Sequence, residues 1–284
     1  MTTRQASLRP GSRLGTGISY AALIAITALV SIPFVWVLIS SLKRMDEFFA
    51  YPVVLWPAEP QWANYVQAVT IFPYFSYALR TFFLAAGFAV LTMLSSALAG
   101  FAFARIRVRG AGLWFRVVVA LLIVPSIVTV IPQFILFSRL GLTNTYWPWV
   151  IWGLTASPFH IFMFRQFFAG FPHELEDAAE VDGCSAFRTF WQIFLPNAQP
   201  VVATSLIFSF TSVWSDWFTP FIYLSNTLTT LGVRMTTGYI DQTGHTIWPV
   251  AIAGNVLYTI PLIVIFFVSQ RFIVQGVVTT GLKG

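Results

Sequence analysis

Charge is scarce in this chain. Of its 284 residues, 9% are Asp, Glu, Lys or Arg and 57% are hydrophobic, against about 25% charged residues in soluble domains. That shortage excludes a water-soluble globule. Cysteine is scarcer still, and the single Cys184 rules out an intrachain disulfide. The histidines, His160, His173 and His245, are scattered, and no Cys, His and carboxylate set has the spacing of a metal site. There is no Gly-x-x-x-x-Gly-Lys-Ser/Thr loop, so the chain supplies no P-loop for a nucleotide. A Gly-x-Ser-x-Gly elbow is missing too, which leaves catalysis within a membrane without support. No soluble domain, low-complexity tract or internal repeat stands out.

What is present is apolar chain in long runs. Six stretches, roughly 18–42, 78–104, 113–138, 146–170, 198–224 and 248–275, are each long enough to cross a ~30 Å hydrocarbon layer as a helix. This predicts an all-α membrane protein of six transmembrane helices, with a tail at 1–17 and one transmembrane domain at 18–284. The first run is too long for a signal-peptide core and no small-x-small cleavage site follows it, so it reads as a retained span. Pro33, Pro125, Pro132, Pro158 and Pro261 lie in or near the spans, where neighbouring helices re-satisfy the carbonyls that proline frees.

The net charge of +6 would suggest nucleic acid in a soluble protein. In a membrane chain it reflects basic loops on the cytoplasmic side, and no nucleic-acid partner is expected. With the N-terminus inside, the inner segments hold Arg4, Arg9, Arg13, Arg105, Arg107, Arg109, Arg116, Arg165, Arg188, Arg271 and Lys283. The outer segments hold Lys43, Arg44, Arg80, Arg139 and Arg234. The bias places both termini in the cytoplasm. In the first outer loop, about 43–77, Trp56, Trp62 and Tyr65 either mark the membrane interface or form a gate or a contact with an outer partner.

The polar exception is the stretch from Pro172 through Ser185 to Pro196. Glu174, Glu176, Asp177, Glu180 and Asp182 are half of the 10 acidic residues in the chain. Pro172 suits the first turn of a helix, and the acids behind it sit near the positive end of the helix dipole. Leu175, Ala178, Ala179 and Asp182 recur at helical spacing, giving a small, mostly apolar face suited to a partner's groove. Asp182-Gly183 signals a bend, and Ser185 is placed to cap a second helix near Arg188. On these residues alone the stretch is either a docking element or a solvated loop.

The order Ala178-Ala179, three residues, Gly183, nine residues, Ile193, one residue, Leu195-Pro196 resembles the EAA loop of ABC importer permeases, with Asp177 where that pattern has Glu. The stretch opening at Pro172, the tail from Gln270 to Gly276 with Gly281 to Gly284, and Trp214-Ser215-Asp216-Trp217-Phe218 resemble maltose-type carbohydrate permeases. In the last of these, Ser215 replaces the family's Asn.

The resemblance implies a bacterial or archaeal inner-membrane permease of an ATP-driven sugar importer. Its partners would be a second homologous permease, a cytosolic ABC ATPase dimer, an extracytoplasmic sugar-binding protein and membrane lipid. ATP and Mg would sit on the ATPase chains, and this chain itself would hold no cofactor. Glu174, Glu176, Asp177, Ala178, Ala179, Asp182 and Gly183 would form the coupling helix and its bend, with Leu195 and Pro196 fixing its return to the membrane.

Asp216 is the one acid expected inside a span, and it lines the translocation path or holds a structural pair. Phe210, Trp214, Trp217 and Tyr258 either stack on sugar rings or pack the core, and Asn255 has similar standing. The rival class is an ion-coupled secondary transporter or channel. Such proteins ordinarily show several intramembrane acids or repeat-related broken helices, and this sequence offers one acid and no visible repeat.

Overall fold

A computed structural model describes residues 13–281, with side chains from 17 to 270. The tail expected at 1–17 and the closing Leu282 to Gly284 lie essentially outside the described residues, as do the side chains of the tail from Arg271. Helix α1 (Arg13–Ser41) is followed by two short helices, α2 (Met45–Phe48) and α3 (Ala63–Thr70). The amide of Asn64 on α3 donates to the carbonyls of Ser41 and Lys43 at 2.8 and 3.0 Å. It thereby satisfies acceptors that the end of α1 leaves open.

Helix α4 (Tyr74–Arg105) is the spine, packed against three later helices that follow from the sequence by different routes. The stretch expected to span at 113–138 is a pair, α5 (Ala111–Leu121) and α6 (Ser126–Arg139), bent by 98°. Pro125 stands at the break, where its fixed φ and missing N–H stop a helix from running through. The stretch expected at 146–170 is also two helices, α7 (Trp147–Leu154) and α8 (Pro158–Ala169). Ala156 takes a φ of 57°, and Pro158 opens α8.

The serines of α4 repair that break. Ser95 Oγ donates to the carbonyl of Gly153 at 2.7 Å, and Ser157 N donates to Ser96 Oγ at 3.1 Å. In an unbroken helix that carbonyl and that amide would pair with each other, so two side chains replace one lost backbone bond. Close approach makes this possible. A Cβ built on Gly153 would come within 2.8 Å of Leu91 Cβ, and one on Gly100 within 2.6 Å of Phe164 Cβ.

After α8 come α9 (Glu174–Val181), α10 (Ala186–Thr189), a π-helical turn at Phe190–Phe194 and α11 (Leu195–Asn197). Helix α12 (Gln199–Trp214) then packs on α4, with α13 (Phe218–Tyr223) and α14 (Leu231–Thr237) beyond it. The stretch expected at 198–224 is thus interrupted at Ser215 to Trp217. Helix α15 (Trp248–Gly281) lies against α12, α1 and α3. The described residues contain no strand, only an isolated bridge between Ile240 and Thr246.

Three helices, Gly17–Ser41, Tyr74–Arg105 and Trp248–Gln270, are long and apolar enough to cross a membrane unaided. Two bent pairs, α5 with α6 and the α10–α11 run with α12, raise that to five. None of the most apolar window of α1 is buried by protein, which suits a face covered by lipid. The described residues form an all-helical membrane protein with three whole spans and two bent pairs.

Candidate functional site

The polar island folds into a helix, a tight bend and a return. Helix α9 begins after His173, with Glu174, Glu176 and Asp177 in its first turn, where the dipole favours negative charge. It ends in a two-bond cap. Gly183 N donates to Glu180 O at 3.0 Å and Cys184 N to Ala179 O at 2.9 Å, with Gly183 at a φ of 72°. That left-handed conformation favours glycine, which is why the bend sits here. Ser185 then caps α10, its Oγ accepting from Arg188 N at 3.3 Å.

Pro196 has no N–H to offer the carbonyl one turn back, and the chain before it widens into the π turn, closed by Leu195 N on Phe190 O. The turn has a structural use. Phe190 and Phe194 are fully buried, with ring centroids 5.4 and 5.0 Å from that of Phe101 on α4. Phe168 of α8 lies 5.7 Å from Phe194. This phenylalanine cluster ties the segment after the bend to α4 and α8 through dense, well-packed contact.

Arg105, the last residue of α4, ties down α9 itself. Its side chain is 3% exposed, and its Nε lies 3.2 Å from Glu176 Oε1. The Nε–H points at the carbonyl of Phe168 at 3.1 Å, so the contact with Glu176 is ionic, and Oε1 accepts no hydrogen bond. Nη2 donates to the carbonyls of Phe168 and Phe171, Nη1 donates to His173 Nδ1 at 3.1 Å, and the guanidinium stands 5.2 Å from the ring centre of Phe194. One buried cation thus fixes the end of α8, the start of α9 and the π turn relative to α4. Sequence reading assigned Arg105 only to charge topology. The available sign was a basic residue in the last turn of a long helix, and its partner lies 71 positions away in sequence, too far for periodicity to reveal.

The outward side of α9 is split differently from the sequence expectation. Ala179 is buried toward the protein at 3% exposure, whereas Leu175, Ala178 and Asp182 face solvent. Val181, at 87% exposure, and Phe187 and Trp191 continue an apolar exposed surface past the bend. Glu174, Asp177, Glu180 and Asp182 are exposed as well, with no ion pair among the described residues. Leu195 is half-buried beside the phenylalanine cluster and Pro196 is exposed.

The second group of expected residues separates. Phe210, Trp214 and Tyr258 form one stack, with centroids 5.7 and 5.5 Å apart, and Trp214 Nε1 donates to Tyr258 O at 3.2 Å. Trp214 is 2% exposed, so this stack packs α12 against α15. Trp217 is exposed, and the amide of the exposed Asn255 donates to Ala251 O at 2.9 Å.

Asp216 has two roles in the geometry. Its Oδ1 accepts from Phe218 N and Thr219 N at 2.9 and 3.0 Å, capping α13 after the break. It also lines a cavity of about 470 Å³ with Ser126, Thr129, Gln133, Ser212 and Trp152. The cavity is apolar-walled with a few hydrogen-bonding groups, the usual make-up of a small-molecule site.

Residues 96–279 match the family described as binding-protein-dependent transport system inner membrane component. The chain is 32% identical over 196 residues to the arabinooligosaccharides transport system permease protein AraQ of Halalkalibacterium halodurans, covering 69% of each. It is 30% identical to the diacetylchitobiose uptake system permease protein NgcG of Streptomyces coelicolor, over 92% of this chain and 86% of that one. Its identity to the sulfoquinovosyl glycerol transport system permease protein SmoH of Agrobacterium fabrum is 29%, over 89% and 88%. In the solved structure of a bacterial ABC transporter that imports the acidic polysaccharide alginate, one chain superposes with a TM-score of 0.75 at 22% identity, covering 92% of this chain and 98% of that one. The fold is therefore that of an ABC importer permease, and the chain belongs to the binding-protein-dependent transport system inner membrane component family.

Proposed function

We propose that this chain is one of two related permease subunits of an ATP-driven importer of sugars or sugar derivatives, in the inner membrane of a bacterium or archaeon. The observation that carries this reading is the acidic helix α9, held to the spans by a buried arginine while its apolar outer side stays uncovered. A solvated loop has no use for such an anchor.

In this reading α9 faces the cytoplasm and docks in a cleft of an ABC ATPase dimer. Ala178 lets the helix approach closely, and the exposed Leu175, Val181 and Phe187 supply the apolar contact. ATP and Mg belong to the ATPases. When they close, the force on α9 passes through Arg105 to the ends of α4 and α8, and through Phe190 and Phe194 to the packed cluster. Rigid helices then convert a small displacement at α9 into alternating access. Six spans with both termini in the cytoplasm follow if α7 with α8 counts as a broken span, its missing backbone bond replaced by Ser95 and Ser96.

In this reading the cavity at Asp216 lies on the translocation path, which its few hydrogen-bonding groups support. An extracytoplasmic binding protein delivers the cargo from the other side, and the named relatives support a carbohydrate as its class. The test is uptake by proteoliposomes. The assembled transporter with its binding protein is expected to accumulate labelled oligosaccharide only with ATP. Accumulation by this chain alone without ATP sinks the proposal.

A further inference from the structure

Among the cations of the described residues that form no ion pair, two share one aromatic ring. Arg80, exposed on α4, and Arg234 on α14 both lie against the ring of Tyr77, at 5.6 and 5.0 Å from its centre. The ion pairs of lysine and arginine among the described residues are Arg44–Asp46 and Arg105–Glu176, and neither Arg80 nor Arg234 takes part. Backbone carbonyls hold both guanidinium groups in place instead. Arg80 Nη1 donates to Thr227 O, while Arg234 Nη2 donates to Asn226 O and to the Tyr77 hydroxyl, each at 3.0 Å.

Beside Arg234 is a cleft of about 270 Å³ lined by Asn226, Thr229 and Thr237 with Phe221, Leu224 and Val233; Arg80 stands outside its lining, across the Tyr77 ring. Thr229 is 1% exposed, and its Oγ1 has no hydrogen-bond partner; Arg234 Nε also lacks one. Two like charges on one ring, with buried polar atoms left open beside them, suit an acceptor-only group with two oxygens. Along α4, Arg80 stands 25 residues from Arg105, or about 37 Å at the rise of an α-helix. That exceeds the ~30 Å hydrocarbon layer, so the pair lies at the face opposite α9.

We propose that Arg80 and Arg234 form a docking site for a carboxylate side chain of the extracytoplasmic binding protein. The carbonyls of Asn226 and Thr227 pre-orient the guanidinium groups, so that the acid meets a fixed site, and the uncovered charge steers the encounter. The proposal rests on reading the chain as a binding-protein-dependent permease, and the experiment separates the two.

The wild-type assembly is placed in nanodiscs, and ATP hydrolysis is titrated with the substrate-loaded binding protein that stimulates it, at increasing KCl. Arg80→Gln with Arg234→Gln is expected to raise the half-saturating concentration roughly tenfold at low salt and to remove most of the salt dependence. Basal hydrolysis should stay at the wild-type rate, and Arg80→Lys with Arg234→Lys should recover part of the affinity. Binding protein amidated on its carboxylates, with its substrate affinity intact, should show the same loss against the wild-type assembly. An unchanged half-saturation in the Gln variant, or an amidated protein that stimulates at the wild-type concentration, overturns the site. A wild-type assembly that no binding protein stimulates overturns the permease reading, and the site with it.

Discussion

Arg105 Nε stands 3.2 Å from Glu176 Oε1, joining the end of α4 to the first turn of α9 at a point where the arginine side chain is almost wholly buried. Removing one partner of a buried pair costs about 3–5 kcal/mol. Arg105→Ala additionally opens the carbonyls of Phe168 and Phe171, so its cost belongs at the upper end. Glu176 is 26% exposed and loses less as Gln, about 1–3 kcal/mol. Hydrogen exchange should show α9 amides exchanging much faster in Arg105→Ala, with the middle of α4 unchanged. A double-mutant cycle of Arg105→Gln and Glu176→Gln on uptake should be clearly non-additive. Additive losses would mean that the two residues act separately.

The repair of the α7–α8 break yields a second expectation. Ser95→Ala strands the carbonyl of Gly153, and Ser96→Ala strands the N–H of Ser157. Each should lower stability in detergent by about 1–3 kcal/mol, the cost of an unsatisfied buried group. Thermal unfolding of the purified protein reads this out. Midpoints matching wild type for both variants would show that water or lipid headgroups reach the break.

For Asp216, capping and charge can be told apart. Asn at this position keeps an oxygen for the amides of Phe218 and Thr219, whereas Ala removes it. Asp216→Ala should cost about 1 kcal/mol through the lost cap, and Asp216→Asn should cost a fraction of that. If the carboxylate also contacts cargo in the cavity, uptake falls in both variants. Full uptake by Asp216→Asn would restrict the residue to its structural role.

Asp241 makes the turn between α14 and α15 sensitive to acid. Its Oδ1 accepts from Thr243 Oγ1 and N at 2.7 and 2.8 Å and from His245 N at 2.9 Å. The Thr243 hydroxyl contributes most to holding the carboxyl below its ordinary value, with the His245 amide next. A carboxyl depressed on folding stabilises the turn fully above its unfolded pKa, and the contribution fades as pH falls through the folded one. Protection of the Thr243 and His245 amides, relative to their intrinsic exchange rates, should therefore fall on acidification below about pH 4. Asp241→Asn should remove that pH dependence.

Much of this was legible in the sequence, for identifiable reasons. The acidic island, the Gly183 bend and the Ser185 cap are local features, set by residues within a few positions of one another, and the structure has them where the spacing put them. The interruptions at 122–125 and 155–157 were marked by Pro125 and Pro158, but composition cannot tell a kink from a break that a neighbouring helix repairs. Arg105 was out of reach because its partners come from α8, α9 and the π turn. The aromatic set was divided only by packing. Phe210, Trp214 and Tyr258 are as suited to stacking on a sugar as on each other, and the structure has them stacked on each other.

The most direct test of the central claim is purification of the intact assembly from membranes in mild detergent, for wild type and Gly183→Pro, with mass spectrometry of the complex. Gly183 has a φ of 72°, while proline is held near −65°, so the substitution destroys the bend and misplaces α9 without touching the spans. The wild type should carry a second permease and an ATPase pair. The variant should insert and keep the second permease but lose the ATPases. Retention of the ATPases at wild-type stoichiometry, with uptake intact, would contradict the account.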